Sequence, residues 1–129
     1  MTHDDVQLWL DRYIAAWESN DPAAVADLFG ADANYRFHPW DEPVTGRDAI
    51  VENWLENPDQ PGTWEAWYRP YAVEGDRASA IGESRYTNPD GSLRDLYYNN
   101  WTLRFDGDGR CVDFVEYFME LPERLRAGR

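Results

Sequence analysis

The 129-residue chain contains no lysine, one cysteine and two histidines. All twelve basic residues are arginines, which excludes chemistry that needs a lysine, such as a Schiff base or a P-loop phosphate site. Cys111 alone cannot form an intramolecular disulfide, and nothing points to secretion. His3 and His38 belong to no cluster with metal-ligand spacing. We therefore expect no metal site and no cofactor.

Long apolar runs are also absent. No stretch approaches the roughly 20 apolar residues of a membrane span, and the N-terminus lacks the basic start of a signal peptide. The net charge of −13 argues against nucleic acid or an anionic membrane as a partner. The same charge is also explained as an aid to solubility. We expect a cytoplasmic protein that binds neither membranes nor nucleic acid.

Aromatic residues are abundant. They make up 16% of the chain and include seven tryptophans, which is more than a small core requires. This excess predicts aromatic walls around a cavity for a small, hydrophobic ligand. The length predicts one domain that spans residues 1–129.

Three helices are predicted, each with a capping signal at its start and a helix breaker after it. The first begins at a capping-box-like pair, the second at an aspartate followed by proline, and the third at a capping threonine. Their predicted ranges are Thr2 to about Ser19, Asp21 to Phe29, and Asp48 to about Glu56 with Thr45 as the cap.

Five strands are predicted, and from Thr63 onward the apolar period is that of strands. Residues 39–46 are predicted to form a loop. The strands are Asn34–His38, Trp64–Val73, Arg77–Tyr86, Leu93–Phe105 and a last strand within Asp106–Met119. The order ααβαββββ predicts an α+β fold, with the helices on one side of a curved antiparallel sheet.

The last strand places Phe114, Glu116 and Phe118 on one face. An ionised carboxylate between two phenyl rings costs several kcal/mol to bury unless it is paired or its pKa rises until it is neutral. A protein that tolerates such a group often uses it as an acid or a base. Alternatively, this face points to solvent and the phenylalanines form a dimer contact.

Four short motifs, in this order and spacing, resemble the nuclear-transport-factor-2-like superfamily, particularly its SnoaL-like and ketosteroid-isomerase-like branches. They are Arg12–Ala16, Asp21–Phe29, Gly46–Ile50 and the Gly109-Arg110 turn. The resemblance covers nearly the whole chain. It implies a cone-shaped half-barrel in which three helices pack on a strongly curved, mostly antiparallel sheet around one deep apolar pocket. It also implies a homodimer through the outer sheet face.

The resemblance transfers the isomerase site only in part. Tyr13 matches the oxyanion-donor tyrosine of steroid isomerases, and Trp17 follows one turn later. Their general-base aspartate falls near Phe37 and His38, and their second oxyanion acid aligns with Trp101. Two of the three catalytic positions therefore depart from the isomerase pattern.

Other members of the superfamily offer a different carboxylate. The last strand of limonene-epoxide-hydrolase-like proteins carries an aspartate before an aromatic pair, which Glu116-Tyr117-Phe118 resembles. Their Arg and Asp two apart on the third strand resemble Glu83 and Arg85 in reversed order. SnoaL-like cyclases also rely on a pocket carboxylate as base. These comparisons imply that Glu116 faces the pocket.

These arguments select candidate site residues. We predict Glu116 as general acid or base, with Tyr13 and His38 as hydrogen-bond donors to a developing oxyanion. Alternatively, Tyr13 is a core tyrosine and His38 only ends its strand, while Glu83 and Arg85 pair structurally or form a charge network with Glu116. The predicted ligand-binding residues are Trp17, Trp54, Glu83, Arg85, Asn99, Trp101, Phe114 and Phe118.

The expected function is that of a small-molecule pocket protein, such as a cofactor-free acid/base isomerase or cyclase that acts on an apolar cyclic carbonyl compound. Two alternatives stay open. One is an epoxide-hydrolase-like enzyme, in which the same carboxylate activates water. The other is a non-catalytic binding protein for a hydrophobic ligand.

Overall fold

A computed structural model describes residues 1–129. The helices are α1 (His3–Ser19), α2 (Pro22–Asp27) and α3 (Arg47–Glu56). The strands are β1 (Phe29–Arg36), β2 (Val44–Thr45), β3 (Trp64–Glu74), β4 (Arg77–Thr87), β5 (Leu93–Phe105) and β6 (Cys111–Glu120). A short 3-10 turn, Glu123–Leu125, follows. None of the helices is both long and apolar enough to cross a membrane.

The six strands form one sheet in the order β2-β1-β6-β5-β4-β3. Neighbouring strands are antiparallel except β1 and β6, which run parallel. The sheet is curved and does not close, and the three helices pack against it as in a cone. The predicted α+β cone with a mostly antiparallel sheet is confirmed.

Helix α1 is the main cover of the sheet. A reciprocal capping box between Thr2 and Asp5 begins it, and Asn20 ends it in the left-handed conformation, with φ 51°. Its apolar residues recur at helical spacing, so one face is buried. That face consists of Val6, Trp9, Leu10, Tyr13 and Ala16.

Trp9 packs this face against the sheet and adds one hydrogen bond. Its indole meets Phe29 and Phe105 edge to face, with ring centroids 6.0 and 5.6 Å away. Its Nε1 donates a hydrogen bond to the carbonyl oxygen of Leu28, at 3.0 Å. The position of α1 over the concave face is therefore set by packing and by one directional bond.

The boundary between α2 and β1 differs from the prediction. Helix α2 ends at Asp27, and the strand starts at Phe29 and ends at Arg36, instead of spanning Asn34–His38. The cause lies far along the chain. Cys111 donates its backbone N–H to the Leu28 carbonyl and pairs with Phe29, so β6 draws this segment into the sheet.

The predicted loop over residues 39–46 contains a strand, β2, which pairs with β1. Thr45 is part of that strand and does not cap α3. Its Oγ1 donates to Oδ1 of Asn34, at 2.9 Å, and Gly46 takes the N-cap position without a side-chain hydrogen bond. The predicted cap is wrong because strand pairing engages the hydroxyl.

Candidate functional site

A cavity of about 320 Å³ lies between α1, α3 and the concave face of the sheet. This volume suits a small organic ligand, since such sites occupy roughly 300–1,000 Å³. Its aromatic wall consists of Tyr13, Trp17, Tyr35, Phe37, Trp54, Tyr68 and Tyr86. Its polar side chains are Asn20, Asn53, Asn57, Asp59, Ser84, Asn99 and Glu116.

Glu116 reaches the cavity from β6, half-buried among these groups. The amide of Asn99 on β5 donates to Oε1 of Glu116, at 2.5 Å. Ser84 on β4 in turn donates from Oγ to Oδ1 of Asn99, at 3.0 Å. Three adjacent strands therefore fix the orientation of one carboxylate, and the buried amide has a partner at each end.

Burial raises the pKa of the Glu116 carboxyl above its ordinary value. The hydrogen bond from Asn99 opposes this effect, as do the Trp101 indole and the positive charge available to His38. The buried Nε1 of Trp101 has no hydrogen-bond partner of good geometry. Its N–H nevertheless lies near enough to Glu116 to stabilise the charged form of the carboxyl. Glu116 is consequently a stronger base than an exposed glutamate.

Two buried tyrosines face each other across the cavity wall. The hydroxyl oxygens of Tyr13 and Tyr35 lie 3.0 Å apart, and both rings lie parallel to Phe114. Burial raises the pKa of each phenol, and the charge on Glu116 raises both further. Both therefore stay protonated at neutral pH. Because one hydroxyl donates to the other, the second O–H remains available to a ligand.

A second carboxylate, Asp59, lines the cavity from the loop between α3 and β3. Trp17 donates from Nε1 to Oδ2 of Asp59, at 3.0 Å, and stacks on Trp64 with centroids 3.7 Å apart. Asn20 donates to the Asp59 backbone carbonyl, at 3.3 Å. The end of α1 thus holds the loop in place.

A second space of about 330 Å³ adjoins this cavity, and both share Asp59, Ser84, Tyr86, Asn99 and Glu116. Its other walls are Arg94, Tyr97 and Phe118. Glu116 therefore stands where the inner cavity meets this outer space.

The structure brings together five predicted site residues at the inner cavity: Tyr13, Trp17, Trp54, Asn99 and Glu116. Trp101 and Phe114 do not line it, since both are almost completely buried in the core beside it. Phe118 is exposed at the outer space.

Glu83 and Arg85 lie on the opposite face of β4 from Ser84 and Tyr86, because side chains alternate along a strand. Glu83 accepts a hydrogen bond from the Trp67 indole, at 3.1 Å, and Arg85 lies 4.0 Å from Glu65. The expectation that these two residues contact the ligand or pair with Glu116 is wrong. The even-numbered residues of β4 face inward. One indication of this is visible in the sequence, since the small residues Ala78, Ala80, Gly82 and Ser84 all share that face.

His38 does not line the inner cavity. Its Nδ1 lies 2.9 Å from Oδ2 of Asp41, and its ring packs against Trp40 and Phe118. A positive charge on its ring would lower the pKa of the Glu116 carboxyl. A hydrogen bond from His38 to a ligand oxyanion has no support from this placement.

Sequence reasoning missed Tyr35 and Asp59. Tyr35 was detectable as the strand residue with the same parity as Phe37, whereas Asp59 follows a helix-stop Asn-Pro pair and carried no local signal. Cys111 offers no nucleophile, because burial raises its pKa to about 12. No group of three or more His, Cys, Asp or Glu side chains is arranged to hold a metal ion.

A family model described as a SnoaL-like domain matches residues 10–119, a span that includes every residue lining the cavity. No curated protein matches the chain.

Proposed function

The chain belongs to the SnoaL-like domain family, and we propose that it binds a small, mostly apolar cyclic carbonyl compound and moves a proton on it without a cofactor. The family supports a ligand-binding or isomerase/cyclase-type protein. The observation that carries the finer proposal is Glu116, an oriented carboxylate of raised pKa in an aromatic cavity. Such a group is suited to proton transfer near neutral pH.

In the proposed reaction, Glu116 removes a proton from the carbon next to the ligand's carbonyl group. The electron pair of the broken C–H bond moves to the carbonyl oxygen, and an enolate forms. The free O–H of the Tyr13–Tyr35 pair donates a hydrogen bond to that oxygen. If the ligand carries a C=C bond conjugated with this enolate, Glu116, now protonated, returns the proton to the far carbon of that bond; the carbonyl re-forms and the double bond shifts, which completes an isomerisation. In an aldol-type cyclisation, the enolate carbon instead attacks a second carbonyl, whose oxygen takes the proton.

Binding without turnover is the second candidate. It is favoured by the residues at the remaining isomerase positions, since Phe37 lines the cavity and Trp101 is buried, and neither can transfer a proton. Epoxide hydrolysis loses part of its support. Glu83 and Arg85, one of the two resemblances behind that comparison, lie outside the cavity, whereas Glu116, the other, lines it.

Hydrogen–deuterium exchange tests the proposal without knowledge of the natural substrate. A panel of cyclic ketones is incubated with the protein in D₂O, and loss of the proton next to the carbonyl is followed by NMR. Tryptophan fluorescence measures binding of the same ketones, since Trp17 and Trp54 line the cavity. We expect at least one ketone to bind and to exchange faster than in buffer.

Glu116→Gln is the decisive variant, because it keeps the hydrogen-bond acceptor for Asn99 and removes the titrating group. Exchange should slow roughly 100-fold or more, the usual contribution of a positioned base. Glu52→Gln is the matched control, on an exposed side chain that makes no hydrogen bond. Exchange at an unchanged rate in Glu116→Gln would exclude Glu116 as the base. Ketones that bind without any exchange would favour the non-catalytic function.

A further inference from the structure

The charges around the inner cavity are all of one sign. Apart from the tyrosines, its only ionisable side chains are Asp59 and Glu116, and no arginine or histidine lines it. The nearby cation in the outer space, Arg94, is already engaged. Its Nε lies 2.9 Å from Asp95, and its guanidinium lies 5.0 Å from the centre of the Tyr86 ring.

From this arrangement we infer that the ligand carries a protonated amine beside its apolar ring, and that Asp59 binds this amine. The inference rests on the proposed ligand-binding function and specifies the class of ligand. The same charges disfavour phosphorylated or carboxylated ligands, which would face two carboxylates in a partly buried site without a counter-charge.

The hydrogen-bonding state of Asp59 supports this assignment. Its Oδ2 accepts from the Trp17 indole, whereas no protein group donates to its Oδ1. Next to it, the buried Oδ1 of Asn20 also has no donor. Both unpaired atoms are acceptors, so the complementary ligand group is one with several N–H donors. An ammonium group meets that requirement.

The aromatic wall around Asp59 suits a cation as well. Trp17, Trp54 and Tyr86 line the same cavity, and the negative faces of such rings attract cationic nitrogen. The charge of Asp59 is felt within this wall: burial raises the pKa of Tyr86, and the negative charge of Asp59 raises it further. A cation bound at Asp59 would therefore gain from the carboxylate and from the rings together.

A pair of ligands that differ only in charge tests the inference. Phenylcyclohexylamine is protonated at neutral pH, and phenylcyclohexanol has the same skeleton without the charge. Tryptophan fluorescence titration of the unaltered protein should show the amine binding about 10-fold tighter or more, as expected for a charge-assisted hydrogen bond. The preference should shrink as salt is added, because ions screen a partly exposed pair.

Asp59→Asn should reduce the affinity for the amine to near that for the alcohol, while Asp32→Asn, an exposed carboxylate without a hydrogen-bond partner, should not. Equal binding of amine and alcohol to the unaltered protein would overturn the amine inference and leave the apolar ligand-binding proposal intact. A preference for the amine that survives Asp59→Asn would overturn the role of Asp59. If the amine, the alcohol and the cyclic ketones all failed to bind, both the amine inference and the ligand-binding proposal would be refuted.

Discussion

Ionisation of Glu116 lowers the stability of the folded protein, because burial disfavours the charged carboxylate more than Asn99 and Trp101 favour it. Its pKa is therefore higher in the folded than in the unfolded protein. The protonated state stabilises the fold at low pH, and this benefit is lost as pH rises from about 4.3, the unfolded value, through the raised folded value.

Glu116→Gln should then increase thermal stability at neutral pH, because the amide is neutral at every pH. The difference in melting temperature between the variant and the unaltered protein should be small near pH 4 and should grow with pH. Melting curves across this range measure it, with Glu52→Gln as the reference for an exposed glutamate. A difference that does not change with pH would contradict the raised pKa.

Tyr13 and Tyr35 share one buried hydrogen bond of 3.0 Å. Replacing either residue with phenylalanine leaves the other hydroxyl buried without its partner, which should cost about 1–3 kcal/mol of unfolding free energy. The double variant removes both hydroxyls, so it should cost less than the sum of the two single variants. Urea unfolding of the four proteins measures this coupling. Strictly additive losses would mean that the hydroxyls act independently.

The residues of the site differed in how visible they were from the sequence. Glu116 could be found because its alternation with Phe114 and Phe118 is a local pattern, and the regular pairing of β6 with β5 over these residues keeps all three on one face. Glu83 and Arg85 did not show which face of β4 points to the cavity, since either face of an amphipathic strand accepts charged residues. Asp59 depends on the position of a loop under Trp17, which only the folded chain determines.

Strand β4 depends on one glycine for its contact with β3. A Cβ added at Gly82 would overlap the carbonyl oxygen of Trp67 and the Tyr68 ring. The first of these is a backbone atom and cannot rotate away. Gly82→Ala should therefore force the two strands apart beneath the cavity and destabilise the protein by about 3 kcal/mol or more.

Gly107→Ala is the matched control for that variant. Nothing lies within 4 Å of a Cβ at Gly107, and its backbone is not in the left-handed region. Its unfolding free energy should stay within about 0.5 kcal/mol of the unaltered protein, as for ordinary surface changes. Urea denaturation compares the two. Equal stability of both variants would show that the strands adjust without cost.

Among the elements, those with local causes were predicted best. Helix α1 follows from its capping box and apolar period, and β3 to β6 follow from alternation between turns. Strand β1 was misjudged because its start at Phe29 depends on parallel pairing with Cys111, more than eighty positions away. The two-residue strand β2 has too few residues to show a period and exists only through pairing with β1.

The outer face of the sheet carries a row of neighbouring side chains across four strands. Register pairs Trp67 with Glu83, Glu83 with Tyr98, and Tyr98 with Met119. Trp67, Tyr98 and Met119 remain 46%, 41% and 77% exposed, which leaves large apolar groups in water. Because the resemblance to the superfamily implies a dimer through this face, we expect a second copy of the chain to cover the row.

Introducing a charge into this row tests the dimer. Sedimentation at micromolar concentration should give twice the chain mass of 15.1 kDa for the unaltered protein. Tyr98→Glu should shift it toward the monomer, since an unpaired carboxylate at an interface is costly. Leu8→Glu, at a similarly exposed residue on α1, should leave the dimer unchanged.

Each chain carries a net charge of −13, so added salt should strengthen the association by screening repulsion between the copies. A monomeric unaltered protein at both low and high salt would refute the dimer, and the exposed row would then need a different partner.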